Sequence, residues 1–530
     1  MAQLIRDSFF GRFLRYASRG KWLPFEEEKN PLLLKQFSIK TLPEKSSQLA
    51  NNETKAEEGD DIQLVGWYCP DDSENPLNWA NSTKIAVTFQ LCFLTFAVYV
   101  GSSIYTAGIV GVMKEFKIGM VVALTGLTVF VLGCGLGPMT LAPLSEVPSI
   151  GRNSVYIFSL ALFVILQIPT ALSTHIGMLI IFRFITGVLG SPVLATGGAS
   201  IAEMYPPQKR ALAIGIWGLA ALGGPVLGPP IGGFAAQAYG WRWTLWALMI
   251  IAGFALIMLV LFLPETSSKN ILYRRAQRLR KMTNNDKLKT QAEIAFQHVT
   301  VGKIAQITVI QPWILTFQEP LVFLLHMWVA LIFGLLFIWF ESFPLVFEGI
   351  YGFNLGQTGL AFMGLLVGAL CAVPPFVWYD RAFQQKQFNE HGQIIKPEMR
   401  LPPAMVGAFC LPICLFWFGW STRPDIHWIM PLVGTGFFSI GALLVLNAVL
   451  TYLPDAYPSE MASVMAGNAF IRFSSGAACP LFAPAMYHNL GIEWASSLLA
   501  FLGVLFVPIP FAFYIYGEKL RQMSKRARKH

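Results

Sequence analysis

Twelve apolar stretches of about 20 residues each dominate this chain of 530 residues. An α-helix needs roughly 20 apolar residues to cross the roughly 30 Å hydrocarbon core of a bilayer. Strands of a membrane barrel are only about 9–11 residues long and alternate in polarity, which these stretches do not. The sequence therefore predicts an all-α polytopic membrane protein with 12 transmembrane helices, at residues 84–108, 121–144, 154–173, 176–200, 211–236, 242–263, 321–347, 357–379, 403–420, 428–453, 461–486 and 494–516.

A long polar segment divides these stretches into two sets of six. Two similar six-helix bundles joined by a linker are typical of transporters. Residues 1–60 show no sustained apolar periodicity, whereas 269–281 has apolar residues on one side and basic residues on the other. The predicted organisation is a mostly flexible amino-terminal arm at 1–83, bundles at 84–263 and 321–516, a central loop with an amphipathic helix at 264–320, and a basic tail at 517–530.

Charge placement predicts the orientation. Of the 39 Lys and Arg residues, 33 lie in the terminal segments and in the loops on the same side of the membrane. Only Lys114, Lys117, Arg242 and Arg423 lie on the other side. Lys and Arg are retained in the cytoplasm, so both termini are expected there. The net charge of +9 is then mainly a topological signal, and binding of nucleic acid is not expected.

The fifth stretch carries an unusual run of glycine and proline. Its motif is formed by Gly215, Gly224, Gly228, Pro229, Gly232 and Gly233. Small residues allow close packing of membrane helices, and proline bends them. A simple membrane anchor needs neither property, so this helix is predicted to be a moving part.

Three ionisable residues lie well inside the stretches. Such residues are costly in hydrocarbon and usually face a cavity or a partner. Desolvation favours the protonated form of Glu341, which makes it a candidate proton carrier. The alternatives for Glu341 are a hydrogen-bonded residue before Pro344 or a position in external water.

The other two are arginines, which stay charged and cannot carry the proton themselves. Arg183 shares a helix face with two glycines that leave room for its guanidinium to reach backbone carbonyls or a cavity. Arg472 shares a small, polar face with Asn468, which is expected to line a pathway. For both arginines the alternative is hydrogen bonding between helices.

A cavity of broad specificity is expected to have aromatic walls and a few polar groups. Aromatic residues in membrane spans also pack against lipid or against neighbouring helices, and that alternative applies to each candidate. The candidate lining residues are Gln90, Tyr99, Tyr105, Trp339 and Asn468.

Several of these motifs resemble those of the major facilitator superfamily. The glycine run resembles its antiporter signature, and Leu179-x3-Arg183-x2-Thr186-Gly187 resembles its fourth-helix signature. The segment from Pro143 to Glu146 with Gly151-Arg152 is similar to the signature after the second helix, although Val147 replaces an arginine. The likeness covers roughly residues 70–520 and is greatest to the fungal twelve-span drug:proton antiporters, which confer resistance to fluconazole, benomyl, cycloheximide or caffeine.

The resemblance implies roles for particular residues. Arg183 would bias a neighbouring acid, and together with the candidates Glu341 and Arg472 it makes up the predicted proton-coupling set. Glu146, Gly151 and Arg152 would form a cytoplasmic latch between the bundles, with topology plus helix capping as the alternative. The resemblance also implies the plasma membrane, with the vacuolar membrane as the alternative, and a monomer is expected.

The predicted function is proton-coupled efflux of small amphipathic or cationic toxicants by alternating access. The alternatives are transport of a defined metabolite such as a polyamine and, less favoured, a non-transporting receptor. No convergent nucleophile, base or phosphate-binding loop marks an enzyme. Cys410 and Cys414 have no histidine or carboxylate beside them, so no metal site or cofactor is predicted.

Overall fold

The computed structural model describes residues 2–18, 22–29, 62–297, 302, 306–386, 396–458, 460–524 and 526–527. Within these residues the chain is almost entirely helical, and every predicted apolar stretch is helical. Eleven segments of the described chain are long and apolar enough to cross a membrane. Ten correspond one to one with predicted stretches, and the eleventh contains the last two.

The first ten of these segments are called spans 1 to 10. Spans 1 to 6 are Asn81–Phe116, Met120–Glu146, Arg152–Ala171, Ile176–Met204, Pro207–Tyr239 and Arg242–Phe262. Spans 7 to 10 are Pro320–Glu348, Leu355–Gln384, Pro402–Ser421 and Ile429–Ala456. Four of these spans are interrupted. Span 1 comprises the helices Asn81–Ser103 and Ile109–Phe116 with the short turn Thr106–Gly108 between them, and span 4 comprises the helices Ile176–Gly190 and Pro192–Met204. Span 7 comprises the helix Pro320–Phe343 and the wide turn Pro344–Glu348, and span 8 comprises Leu355–Ala361, Met363–Tyr379 and Asp380–Gln384.

The last segment, Ser463–Met523, has 61 residues. A continuous helix of that length would measure about 90 Å, about three times the hydrocarbon thickness. Gly491 interrupts it with a φ of 74°, and the helices Met461–Phe506 and Pro508–Met523 make up the rest. Gly240, the glycine that separates span 5 from span 6, has a similar φ of 86°. We therefore treat 461–490 as span 11 and 492–523 as span 12.

Each half of the chain packs as one bundle. Spans 1–6 contact one another chiefly through the pairs 1 and 5, 2 and 4, and 3 and 6, while span 7 packs on span 11 and span 9 on span 10. The bundles meet along two seams, where span 2 lies against span 11 and span 5 lies against spans 8 and 10. The glycine-rich helix is therefore at the seam between the halves.

One face of the molecule, called the loop face, carries the amino-terminal residues, the segment between spans 6 and 7 and the end of span 12. Its short elements are the helices Ala2–Asp7, Phe9–Ala17, Glu26–Lys29, Ser268–Thr283, Gln291–Gln297 and Gln311–Gln318, the single turns Pro76–Asn78, Gln306–Ile310 and Pro397–Arg400, and the strands Gln63–Leu64 and Leu288–Lys289, which pair in parallel.

The helix Phe9–Ala17 was missed by the sequence analysis, which predicted a mostly flexible arm. Ser8 caps this helix, since its hydroxyl accepts a hydrogen bond from Gly11 N at 3.0 Å, and Ser8 also forms a backbone bridge with Pro264. The helix contacts span 6. Docking on the bundle thus orders this part of the arm, while residues 30–61 lie outside the described residues.

The helix Ser268–Thr283 holds the amino-terminal segment through a buried ion pair. Arg275 is 1% exposed and donates two hydrogen bonds to the carboxylate of Asp72, at 2.7 and 3.1 Å, with Glu74 at 3.0 Å. Burial opposes ionisation of Asp72, but the hydrogen bonds and charge of Arg275 outweigh it and hold the pKa of this carboxyl below its usual range. The sequence places Arg275 on the basic side of an amphipathic helix, where lipid headgroups are the common partners. Because the carboxylates of Asp72 and Glu74 pair with Arg275, its side chain faces the protein instead.

Arg275→Gln is expected to release the segment 62–79 from the bundle. The variant leaves the buried carboxylates of Asp72 and Glu74 without their cation, which costs about 3–5 kcal/mol for a buried pair. Hydrogen exchange of this segment should become much faster in Arg275→Gln and stay unchanged in Lys281→Gln, which alters an exposed residue of the same helix. Equal exchange in the two variants would contradict the role given to the ion pair.

The carboxyl of Asp72 also sets a pH dependence. Its pKa is lower in the folded protein than in the unfolded chain, so its contribution to stability is present above the unfolded value of roughly 4. It is lost as the pH falls through the lower folded value. The contribution of Asp72 to the attachment should therefore be constant between about pH 5 and 8.

Candidate transport pathway

A mainly apolar cavity lies between the two bundles. It is bordered by spans 1, 5, 7, 10 and 11, and its lining residues are Tyr99, Ile214, Trp217, Gly218, Ala221, Leu222, Pro225, Phe333, Leu336, Leu443, Leu446, Asn447, Leu450 and Arg472. A smaller pocket adjoins it on the loop-face side, shares Asn447, and is lined there by Gln384 and Arg400. Two pockets therefore lie one after the other between the centre of the molecule and the loop face.

Arg472 brings a positive charge to this cavity. Its side chain is 5% exposed, and its guanidinium carbon lies 4.7 Å from the ring centre of Phe333 and 4.9 Å from that of Phe473. Its Nε makes no hydrogen bond with the described residues. Asn468 lies one turn earlier on span 11, is 1% exposed, and has an unpaired amide nitrogen among the described residues. Arg472 thus lines the cavity, whereas Asn468, the other candidate on this face of span 11, is not among the lining residues.

Tyr99 is the aromatic candidate that the structure places in the cavity wall. Its ring stacks on Phe473 at 5.8 Å between centres, which joins span 1 to span 11. Two further lining residues, Trp217 and Asn447, were not predicted. The indole nitrogen of Trp217 donates to the hydroxyl of Thr95 at 2.8 Å. A signal for Trp217 existed, since it lies on the glycine-rich span, but span 10 gave no motif that singled out Asn447.

Three other cavity candidates lie elsewhere. Gln90 donates a long hydrogen bond of 3.5 Å to Phe262 O within the first bundle, and the Tyr105 hydroxyl donates to Ala123 O at 3.0 Å. Trp339 is fully buried and packs on Phe438 at 4.6 Å between ring centres. Each of these side chains fills the inside of one bundle, so the prediction that they line the cavity is not met in this structure.

Arg183 is fully buried inside the first bundle. Its Nε donates to Gly126 O at 3.1 Å and its Nη1 donates to Gly101 O at 3.0 Å. Its guanidinium also lies over the rings of Tyr105 and Phe130. These contacts tie span 4 to spans 1 and 2, which is the hydrogen-bonding alternative considered for this residue, and none of them involves an acid.

Glu341 is 5% exposed on span 7, and its Oε1 has no hydrogen-bond partner among the described residues. Leu336 on the same helix lines the cavity. Five residues correspond to about 7.5 Å along a helix, so the carboxyl lies beyond the cavity on the side away from the loop face. The structure thus keeps an unpaired carboxyl inside the membrane but does not bring it into contact with Arg183 or Arg472.

The glycines of span 5 divide into two sets by what they contact. A Cβ on Gly228 would lie 2.9 Å from Ile104 N, and Gly224 and Gly232 also face the backbone of span 1. A Cβ on Gly233 would lie 2.5 Å from Leu355 O in span 8. Gly215 faces the second bundle as well. The motif thus joins span 5 to its own bundle and to the opposite bundle.

Span 8 provides the matching glycine at this seam. A Cβ on Gly359 would lie 2.6 Å from Pro229 O, because the proline-containing turn of span 5 passes directly over it. Gly356 N also donates to the Gln237 side chain at 3.1 Å. These contacts close the two bundles together at the membrane face opposite the loop face.

At the loop-face rim, Arg152 is buried between two carboxylates. Its Nη2 donates to Glu146 and to Glu203, both at 2.7 Å, and Lys269 Nζ donates to Glu146 at 2.9 Å. All of these residues belong to the first bundle or to the helix Ser268–Thr283. Among the described residues, this network has no partner in spans 7–12, so the predicted contact between bundles is not formed in this conformation.

Gly151 places the start of span 3 against an acidic cap. It has a φ of 76°, which glycine adopts without strain. The Glu265 carboxylate accepts hydrogen bonds from the backbone nitrogens of Arg152 and Asn153, at 3.2 and 3.3 Å. A carboxylate is favourable at a helix amino terminus. Helix capping, the alternative considered for this motif, is therefore present.

The sequence and the fold are similar to those of known proteins. A family model described as Major Facilitator Superfamily matches residues 91–479. Transporter mfs1 of Schizosaccharomyces pombe is 41% identical over 528 residues, with 99% of each chain covered. The fluconazole resistance protein 1 of Saccharomyces cerevisiae is 39% identical, covering 91% of this chain and 88% of that one. The chain belongs to the major facilitator superfamily.

Solved structures share the architecture at low identity. The partially occluded, inward-open xylose transporter XylE of E. coli gives a TM-score of 0.56 at 16% identity, covering 82% of this chain and 98% of that chain. The human organic anion transporter MFSD10 gives a TM-score of 0.52 at 16% identity, covering 82% and 99%. At this identity the likeness shows the fold alone.

Proposed function

We propose that this protein exports small amphipathic molecules in exchange for protons. The observation that carries the proposal is the cavity between two six-span bundles, with aromatic walls and a few polar groups. Such walls accept flat molecules of varied structure. Relatives that share most of their length with this chain are named for resistance to fluconazole or, in Candida maltosa, to cycloheximide.

The transport cycle follows from the two seams. In this structure spans 5 and 8 close the face opposite the loop face, while a second pocket lies between the central cavity and the loop face. With the loop face in the cytoplasm, as its basic charge favours, this is the state that receives substrate from inside. Rocking the bundles about span 5 would close the loop face and open the other, and the protein would act at the plasma membrane.

Coupling is assigned to Glu341, with Arg183 and Arg472 as the fixed charges of the two bundles. An unpaired, buried carboxyl can take up a proton while the outer side is open and release it after the bundles rock. Arg183 lies in the first bundle and Arg472 in the second, so the rocking changes the field at Glu341. Glu146 and Arg152 are assigned to holding the rim when the loop face closes.

The proposal is tested by deleting the gene and measuring both growth and intracellular drug. The panel contains an azole, cycloheximide, caffeine, a cationic dye and spermidine. Efflux predicts greater sensitivity and severalfold greater accumulation for at least one compound, with recovery when the intact gene is restored. Unchanged sensitivity and unchanged accumulation across the panel would contradict it.

A further inference from the structure

The central cavity has a one-sided charge. Of its fourteen lining residues, Arg472 is the only one with a formal charge, and none is a carboxylate. The remaining walls are apolar or aromatic apart from Asn447 and the polar tips of Tyr99 and Trp217. Charges act strongly across such a low-dielectric space. A ligand in this cavity therefore meets a positive charge with nothing in the wall to offset it.

Among the described residues, Arg472 differs from the buried Arg183 and Arg152 in having no hydrogen-bond acceptor. Arg183 donates to two backbone carbonyls, and Arg152 donates to two carboxylates. The described residues provide no hydrogen bond or ion pair for Arg472, which is held only between two phenylalanine rings. Leaving a buried charge unpaired is costly. An incoming ligand that supplies an acceptor removes that cost.

The acid that might have paired with Arg472 is not placed to do so. Glu341 is the buried carboxyl of span 7, but Phe333, which contacts the guanidinium, lies eight residues earlier on the same helix. Eight residues correspond to about 12 Å along the axis. Glu341 is also absent from the cavity wall. A cationic ligand therefore has no nearby carboxylate in the described wall to bind.

We infer that the central cavity selects molecules that present a hydrogen-bond acceptor or an anionic group to Arg472, and that it discriminates against cations. The inference rests on the proposed function, since it assigns a substrate class to the same cavity. It narrows the sequence-based expectation of amphipathic or cationic toxicants, and it excludes polyamines as cargo. Arg472 is then a specificity-determining residue in addition to any role in coupling.

The test uses three probes built on one naphthalene scaffold: a carboxamide, a carboxylate and a trimethylammonium. Their dissociation constants are measured at pH 7 on the purified full-length protein. The wild type is expected to bind the carboxamide and the carboxylate about 10-fold or more tightly than the ammonium, because hydrogen bonds to a charged group give differences of that order. Arg472→Gln should bring the three constants within about threefold of one another.

Two further variants make the result specific. Arg472→Lys keeps the charge and should keep the order of the probes, which separates loss of charge from misfolding. Arg423→Gln makes the same chemical change at an exposed residue of the opposite face and should behave as the wild type. The inference is overturned if the wild type binds the ammonium as tightly as the other probes, or if Arg472→Gln leaves the order unchanged.

Transport of the same probes separates this inference from the proposed function. Proteoliposomes should exchange the carboxamide and the carboxylate across the membrane and exclude the ammonium. If the binding order is as expected and no probe is transported, the proposed export function fails and the charge selectivity of the cavity stands. If a drug is exported but the binding order is absent, the export function stands and the selectivity inference fails.

Discussion

Glu341→Gln is expected to abolish substrate accumulation driven by a pH gradient, while substrate still exchanges across the membrane. One pH unit is worth about 1.4 kcal/mol per proton, so an antiporter that moves one proton can build a tenfold substrate gradient per unit. Glutamine keeps the shape of the side chain but cannot carry a proton. The accumulation ratio in proteoliposomes should therefore fall to about 1 in the variant.

Glu348→Gln is the matched control for this prediction. Glu348 lies seven residues further along span 7 and is only half-buried, so the same substitution there should leave accumulation intact. The assignment of Glu341 is wrong if its glutamine variant still concentrates substrate to the wild-type ratio with the wild-type pH dependence. Exchange without a gradient confirms that the variant is folded.

Gly233→Ala is expected to shift the protein away from the conformation described above. The added Cβ would lie 2.5 Å from Leu355 O and 3.2 Å from Leu355 C, and backbone atoms cannot move aside as a flexible side chain can. Overpacking of this kind costs about 1–3 kcal/mol, which changes the ratio of two conformers by about 5- to 150-fold. The bundles should separate at the face opposite the loop face.

The separation is measured with spin labels at Tyr239 and Tyr351 in a cysteine-free background. Tyr239 is the last residue of span 5 and Tyr351 follows the end of span 7 on that face, and Gly233→Ala should enrich the longer distances. Gly223→Ala is the control, since Gly223 lies on the same helix and a Cβ there meets no atom within 4 Å. Identical distance distributions in the two variants would contradict the closing role given to this contact.

The sequence was sufficient for the fold because the apolar stretches and the basic loops are constraints imposed by the bilayer. The spacing of Gly224, Gly228 and Gly232 also predicts a close helix contact, and the structure supplies span 1 as the partner. The division of these glycines into those that contact span 1 and those that contact the second bundle was not predictable. Which glycines face the second bundle depends on how the two bundles meet, and no local pattern encodes that.

The residues that line the central cavity were predicted less well than the fold. Tyr99 and Arg472 reach the cavity, but Tyr105 and Trp339 have the same chemical character and fill the inside of a bundle. Burial in a bundle and exposure to a central cavity produce the same apolar pattern around the helix. Only the position of the neighbouring spans distinguishes the two.

On the loop face, the partners of charged residues were equally hard to predict from the sequence. Arg275 and Arg152 are both buried in ion pairs, although runs of basic residues in membrane proteins commonly face headgroups. Their partners, Asp72 and Glu203, are separated from them by 203 and 51 positions in the chain. Long-range pairs of this kind cannot be inferred from one sequence without a knowledge of the fold.

The most direct test of the account is a measurement of proton movement caused by a substrate gradient. Proteoliposomes are loaded with substrate and a pH-sensitive dye, with equal pH on both sides and the membrane potential clamped, and are then diluted into substrate-free buffer. Coupled antiport predicts that the lumen becomes acidic as substrate leaves, and that Glu341→Gln removes this signal. Full substrate release with no change in the lumenal pH would contradict the account.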